Sequence, residues 1–192
     1  MAEGALLFWR QYLKRPLGIG AVAPSGPALA KRMVATLGAS PGDKVVEIGP
    51  GTGPFTRALL ASGISPQRLL LVEFDPGFVG HLRRTFPGVT VIEGDAGNLP
   101  DILKEHGEPD ASRILSGLPL RSMPPDIRRR ISAAMAQSLR KGGSLVQFTY
   151  FLSPPLDEEA VKAHGLACRR AAMVAANVPP AFVWHYRKPA AA

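Results

Sequence analysis

The sequence predicts an α/β fold: a seven-stranded, mostly parallel sheet closed by a C-terminal antiparallel hairpin. Three observations predict it. The first is Lys44-Val-Val-Glu-Ile-Gly-Pro-Gly-Thr-Gly53 followed by Pro54-Phe-Thr-Arg-Ala-Leu-Leu60. A short β-branched run there meets a glycine turn, and Pro54 stands where a helix tolerates proline. The second is a set of further continuous apolar runs, at residues 68–75, 90–93 and 112–115, as in parallel strands buried on both faces. The third is a pair of strand-like runs, roughly 167–176 and 180–187, on either side of Asn177-Val-Pro-Pro180.

Length and composition bound the answer. The chain has 192 residues, 46% hydrophobic and 20% charged, the balance of one globular domain with a sizeable core. Its single cysteine, Cys168, excludes an intramolecular disulfide, argues against a cysteine-built metal site and suits a cytosolic setting. No apolar run approaches the ~18 residues of a membrane span. Arg10, Lys14 and Arg15 interrupt the N-terminal apolar residues where a signal peptide would need continuity. The net charge of +8 is uneven: residues 1–35 hold Arg10, Lys14, Arg15, Lys31 and Arg32 against Glu3 alone, and no acid follows Glu159. Such a balance favours a polyanionic partner, either nucleic acid or an anionic membrane surface.

Residues 3–15 are expected to form an amphipathic helix, with Ala5, Leu6, Phe8, Trp9, Tyr12 and Leu13 on one face and Glu3, Arg10, Gln11 and Lys14 opposite. An aromatic face beside basic residues fits a helix lying on a membrane, and equally one docked on the core by that face; both hold if the helix closes over the site and also touches lipid. Pro16 stops it. After a loop, Ser25 is placed to cap the next helix, with Pro27 in its first turn and Leu29, Ala30, Met33, Val34 and Leu37 as its buried stripe. Pro41-Gly42 returns the chain to the first strand. Phe55, Ala58 and Leu59 are expected to pack the helix after the glycine turn against the sheet.

That turn carries chemistry. A strand, a glycine turn and a helix N-terminus bring backbone N–H groups together as a cradle for polar ligand atoms. A dinucleotide fingerprint reads G-x-G-x-x-G, whereas here Gly49, Gly51 and Gly53 alternate with Pro50 and Thr52, and Glu47 precedes them. A carboxylate there would repel a diphosphate and suits a cation such as an amino-acid ammonium. The second strand ends on Glu73, 20 residues beyond Gly53, placed to bind both ribose hydroxyls of an adenosine. Phe74 is placed against the adenine. The third strand runs into Gly94-Asp95-Ala96, where Asp95 can accept from the adenine amino group and the Ala96 N–H can donate to a ring nitrogen. Three acids at the carboxyl ends of successive strands are a specific signal, because parallel sheets bind ligands at that edge.

The fourth strand, residues 112–115, ends in Ser116-Gly-Leu-Pro-Leu-Arg121. Pro124 and Pro125 open a helix with the stripe Ile127, Ile131, Ala134, Met135 and Leu139, flanked by Arg128, Arg129 and Arg130 as a solvated or a binding face. Lys141-Gly-Gly-Ser144 turns into the fifth strand, residues 145–151, on which Phe148 and Tyr150 share a face and Phe151 does not. Pro154-Pro155 and Asp157-Glu158-Glu159 begin a helix or turn before the hairpin. His81, His106, His164 and His185 fall outside the expected site loops, so the general base is unassigned.

The E-x-G-x-G-x-G arrangement after the first strand resembles the cofactor motif of the S-adenosylmethionine (SAM) methyltransferases. Beyond it, the aromatic-basic N-terminus, Gly20-Ala-Val-Ala-Pro-Ser25, Val46–Gly53, Val72-Glu73, Gly94-Asp-Ala96, Ser116–Arg121 and Gln147-Phe-Thr-Tyr150 resemble the bacterial phospholipid N-methyltransferases across almost the whole chain. This resemblance implies a seven-stranded Rossmann-like class I SAM-dependent methyltransferase fold over 25–188, an N-terminal helix and loop over 1–24 that face the membrane or cover the site, and a disordered tail over 189–192. It implies SAM as cofactor and S-adenosylhomocysteine as product, with Ser25, Glu47, Gly49, Pro50, Gly51, Thr52, Gly53, Glu73, Phe74, Asp95, Ala96 and Ser116 around it, and no metal. The implied reaction is successive N-methylation of phosphatidylethanolamine and its mono- and dimethyl forms towards phosphatidylcholine. The implied location is cytoplasmic, peripheral to the inner face of the cell membrane. Substrate candidates are Tyr12, Leu118, Arg121, Phe148 and Tyr150; Arg121 suits the lipid phosphate, and Tyr150, the candidate catalytic residue, can face the ammonium. Phe8, Trp9, Arg10, Lys14 and Arg15 are the expected contacts to phospholipid, anionic lipids above all.

Two other readings share these features. An rRNA adenine N6-dimethyltransferase has a similar SAM half and basic charge. Amine-methylating families often place Asn or Asp and then Pro-Pro-Tyr or Leu-Pro-Tyr after the fourth strand, however, and Ser116-Gly-Leu-Pro119 lacks both amide and tyrosine. No nucleic-acid partner is therefore expected. In a membrane-surface binding or remodelling protein SAM binding would be vestigial or regulatory; the intact acid set argues against loss of catalysis and leaves room for a second, non-catalytic membrane effect.

Overall fold

The computed structural model describes residues 26–177 and 179–190. The expected helix over 3–15, with Phe8, Trp9, Arg10, Tyr12, Lys14 and Arg15, lies outside the described residues, as does Ser25.

Strands β1 (Val45–Ile48), β2 (Leu69–Glu73), β3 (Thr90–Glu93), β4 (Ala111–Ser116) and β5 (Leu139–Thr149) precede β6 (Ala167–Val174) and β7 (Ala181–Arg187). They form one sheet in the order β3-β2-β1-β4-β5-β7-β6. The first five run parallel, and β7 is antiparallel to both β5 and β6. Strand order reverses between β1 and β4, so β1 has neighbours whose helices leave in opposite directions. A crevice opens at the carboxyl edge there.

The helices are α1 (Pro27–Leu37), α2 (Pro54–Ala61), α3 (Pro76–Thr85), α4 (Leu99–Glu105), α5 (Pro125–Ser138) and α6 (Glu158–Ala163). Alternate residues of one strand enter different cores. Val45 joins Leu29 and Met33 of α1, and Phe55 and Leu59 of α2, on one face. Val46 joins Leu99 and Leu103 of α4, and Ile131 and Met135 of α5, on the other. This two-sided burial explains why the parallel strands read as unbroken apolar runs. Among the described residues no helix is long and apolar enough to cross a membrane.

The structure corrects the sequence reading at several points. Gly26, not Ser25, is the N-cap of α1, without a side-chain cap. Leu139 opens β5 instead of closing the α5 stripe. Lys141-Gly-Gly lies within β5 as a bulge: Leu139 pairs with Ala111 and Ser144 with Arg113, so residues 140–143 are looped out. Gly142 has φ 75° and donates its N–H to Lys188 O, which turns a would-be bend into a bulge held by the residue after the last strand. β5 then stops at Thr149, whose hydroxyl accepts the Phe151 N–H at 3.2 Å and draws the backbone away from the ladder. The sequence reading places nothing on α3 or α4. α3 is capped by Asp75, which accepts from the Gly77 and Phe78 N–H groups.

Candidate active site

At the end of β1 the chain turns through Gly49, Gly51 and Gly53, with φ of 65°, 56° and 79°. Their surroundings differ. A Cβ on Gly49 would meet the Leu118 side chain at 2.3 Å and one on Gly53 the Phe86 ring at 2.4 Å, whereas one on Gly51 would meet nothing within 4 Å. The outer glycines seat the turn against the protein, and the middle one faces the space a ligand would take. Hydrogen bonds from Gly49 N–H to Val72 O and from Gly117 N–H to Ile48 O, at 2.9 and 2.8 Å, fix the turn between β2 and β4.

Glu47 is fully buried. The Thr56 hydroxyl of α2 donates to its Oε2 at 2.8 Å, and Oε1 has no partner. Burial first, and the nearby Glu73 charge in addition, push its pKa up to about 8 against the Thr56 bond. An enclosed carboxyl with one unpaired oxygen suits a cationic ligand group, which would complete its bonding.

Glu73 accepts three backbone bonds: Phe74 and Asp75 N–H on Oε1 at 2.9 and 3.0 Å, and Gly51 N–H on Oε2 at 3.0 Å. It ties the glycine turn to the tip of β2. Burial raises its pKa, opposed by those bonds. Asp95 accepts the Gly97 N–H at 2.8 Å and pairs with Arg130 of α5 at 2.7 Å. Arg128 and Arg129 approach Asp157, and Arg129 also Glu159. The arginine run ties α5 to the β3 loop and to α6, with Arg129 and Arg130 still exposed to solvent.

Ile48, Gly49, Glu73, Phe74, Asp95, Ala96, Leu118 and Ile131 line one cleft. Ser116 is fully buried beside it, opposite Ile48 and Gln147, and its Oγ accepts the Leu118 N–H at 3.4 Å. Open space at Gly51, the unpaired Glu47 oxygen and the acids on neighbouring strand ends fit an aminoacyl nucleoside.

At the ends of β4 and β5 the buried Gln147 amide donates to Leu118 O at 2.8 Å and to Phe148 O at 3.0 Å, locking the Ser116–Arg121 loop to β5. Phe148 is 6% exposed and stands between Phe55, at 5.8 Å, and Tyr150, at 5.6 Å edge-on, so it props Tyr150 from behind. Tyr150 is half-buried. Asn177 lies near enough to counter part of the burial that raises the phenol pKa, yet the hydroxyl completes no hydrogen bond. A phenol so shifted keeps its proton at neutral pH. Asn177 accepts the Gly26 N–H at 3.2 Å and donates to Pro179 O at 2.9 Å, joining the start of α1 to the hairpin turn. Leu118 is buried, and Arg121 is exposed with its guanidinium 5.7 Å from the Phe151 ring centre. Thr56, Gln147, Asn177 and Arg130 are positioning residues to which the sequence reading gives no place in the site.

The profile of a methyltransferase-domain family matches residues 45–143. Ornithine lipid N-methyltransferase of Singulisphaera acidiphila is 34% identical over 147 residues, covering 74% of this chain and 76% of that protein. The chain belongs to the SAM-dependent methyltransferases. Ribosomal RNA small subunit methyltransferase A of Methylococcus capsulatus is 44% identical over a shorter stretch, 36% of this chain and 27% of that protein. A solved structure of Burkholderia thailandensis 1,6-didemethyltoxoflavin-N1-methyltransferase with bound S-adenosylhomocysteine superposes with a TM-score of 0.69 at 17% identity, over 98% of this chain and 90% of that one. The methyltransferase thus has the class I fold and uses SAM as its cofactor.

Proposed function

We propose that this methyltransferase N-methylates the head-group amine of a membrane aminolipid, phosphatidylethanolamine and then its mono- and dimethyl forms, at the inner face of the cell membrane. The observation that carries the reading is the likeness to an ornithine lipid N-methyltransferase over three-quarters of both chains, against about a quarter of the M. capsulatus rRNA enzyme. The missing amide and tyrosine after β4 agree with it.

SAM, when bound, supplies an electrophilic methyl group. The residues of the chain orient and desolvate the amine, which contributes much of the rate in such two-reactant sites. Tyr150 keeps its proton and serves as an aromatic face for the ammonium. Arg121, exposed on the neighbouring loop, takes the phosphate. The amine sheds its proton along a water path, since no histidine reaches the β4 or β5 loop; His185 contacts Ser144 near the bulge of β5. Because the lipid amine stays at the bilayer surface, the enzyme comes to it, aided by its positive charge and the segment over 3–15.

The test is incubation with SAM and, separately, phosphatidylethanolamine vesicles, ornithine lipid vesicles and rRNA, followed by mass spectrometry. Stepwise methyl gains on phosphatidylethanolamine are expected. The S. acidiphila relative favours ornithine lipid as a second reading; that head group lacks a phosphate, so Arg121→Ala should raise KM for phosphatidylethanolamine only. Methylated RNA with silent lipids would overturn both readings.

Tyr150→Ala should lower lipid turnover by up to about 2 kcal/mol, roughly 30-fold, with SAM affinity within about twofold. Tyr150→Phe should retain most of the activity if the ring face is what matters. Equal turnover in all three proteins removes Tyr150 from the site.

A further inference from the structure

Among the described residues the exposed large apolar side chains are Phe151, Leu152 and Met173, at 50%, 70% and 61% exposure. They gather at one end of the molecule. Thr149 pairs with Phe182 and Phe182 with Met173 across β5, β7 and β6, so Met173 sits about 10 Å from Thr149 by strand spacing. Phe151 and Leu152 follow Thr149 directly. All three therefore stand at the carboxyl edge of the sheet, and Phe151 is the residue after Tyr150.

The loop that presents Phe151 and Leu152 has a fixed base. Thr149 Oγ1 holds the Phe151 N–H on one side. On the other, the Leu156 N–H donates to the Tyr186 hydroxyl and the Asp157 N–H to Ser132 Oγ, at 3.3 and 3.0 Å. Pro154 is exposed, whereas Pro155, Leu156 and Asp157 are buried. Arg121 lies over the Phe151 ring, which sets a cation beside the apolar tip.

We propose that Phe151 and Leu152, with Met173 and Arg121 beside them, form a lipid-inserting tip that seats the mouth of the site on an anionic bilayer. The proposal rests on the aminolipid reading above and adds a contact surface separate from the segment over 3–15. Size and charge choose the occupant. A stable protein partner needs about 800 Å² per side, far more than three side chains supply. A bilayer needs only a few apolar groups placed beside positive charge, and this chain carries +8. Seated this way, Tyr150 and Arg121 come to the depth at which a lipid amine and phosphate lie.

The test compares the parent with Phe151→Ser/Leu152→Ser in sedimentation with vesicles of equal parts phosphatidylglycerol and phosphatidylethanolamine. SAM affinity and melting temperature serve as checks on the fold. The double variant should bind vesicles at least about tenfold more weakly, with SAM affinity within about twofold. A separate Leu152→Trp protein should show blue-shifted emission on vesicle addition. Binding by the double variant equal to that of the parent overturns the tip, as does a parent that ignores vesicles and dimerises through these residues. Lipid methylation, scored in the same samples, separates the two ideas. Methylation with unchanged binding overturns the tip and keeps the substrate; lost binding without any lipid methylation by the parent overturns the substrate and keeps the tip.

Discussion

Glu73→Ala should lower SAM affinity by about 1.5–3 kcal/mol, roughly 10- to 150-fold, the range for hydrogen bonds to a charged group. The carboxylate stands at the end of β2, where ribose hydroxyls would meet it. It also accepts from the Gly51, Phe74 and Asp75 N–H groups, so alanine strips three backbone donors as well. The melting temperature therefore falls too, and Glu73→Gln, which keeps an acceptor oxygen, loses less stability than affinity. Calorimetric titration of the folded variants checks this. Parent-like SAM affinity in the alanine variant would sink the assignment of Glu73.

Glu47→Gln should stabilise the protein without added SAM at high pH and weaken SAM binding. The folded carboxyl has its pKa raised from 4.5 to about 8. Between these values the folded state holds a proton that the unfolded chain has released, so stability is fully present below the lower value and falls as pH rises through the upper one. Glutamine has no such loss. The two proteins should melt alike near pH 5, and the variant should be more stable by on the order of 3–5 kcal/mol at pH 9. In calorimetry at pH 7 in buffers of different ionisation enthalpy, the parent should release a proton on binding SAM, as an ammonium displaces it from Glu47. The variant should release none. Equal melting curves at pH 9 would mean that Glu47 ionises without penalty.

The inner parallel strands were legible because they are buried on both faces, leaving unbroken apolar runs such as Leu69–Glu73; the edge strand β3, with Thr90 and Glu93 exposed, shows only the pair Val91-Ile92. The acid set was legible because Glu47, Glu73 and Asp95 stand within two residues of strand ends. The bulge in β5 was not: Gly142-Gly143 reads equally as a turn, and the deciding partner, Lys188, is contributed by chain that follows β7. α4 has 7 residues, too few for a helical period to declare itself. The positioning residues were hidden for one reason. Gln147 acts on Leu118, Arg130 on Asp95 and Asn177 on Gly26, partners 29, 35 and 151 residues away, and a polar side chain carries no local mark of a distant mate.

β7 lies between β5 and β6, so the ribosome delivers β6 before the strand it must pair with. From Ala167 to Arg187, synthesis takes about 1–4 s at ~5–20 residues per second, and through that interval β6 has two open edges. Arg169 and Arg170, exposed on that strand, discourage neighbouring nascent chains from pairing with it. The bond from the Gly26 N–H to Asn177 waits longer still, since its acceptor is made 151 residues after its donor. A growing chain therefore carries every strand of the cofactor crevice, β1 to β4, before it has the hairpin turn that ties to the start of α1.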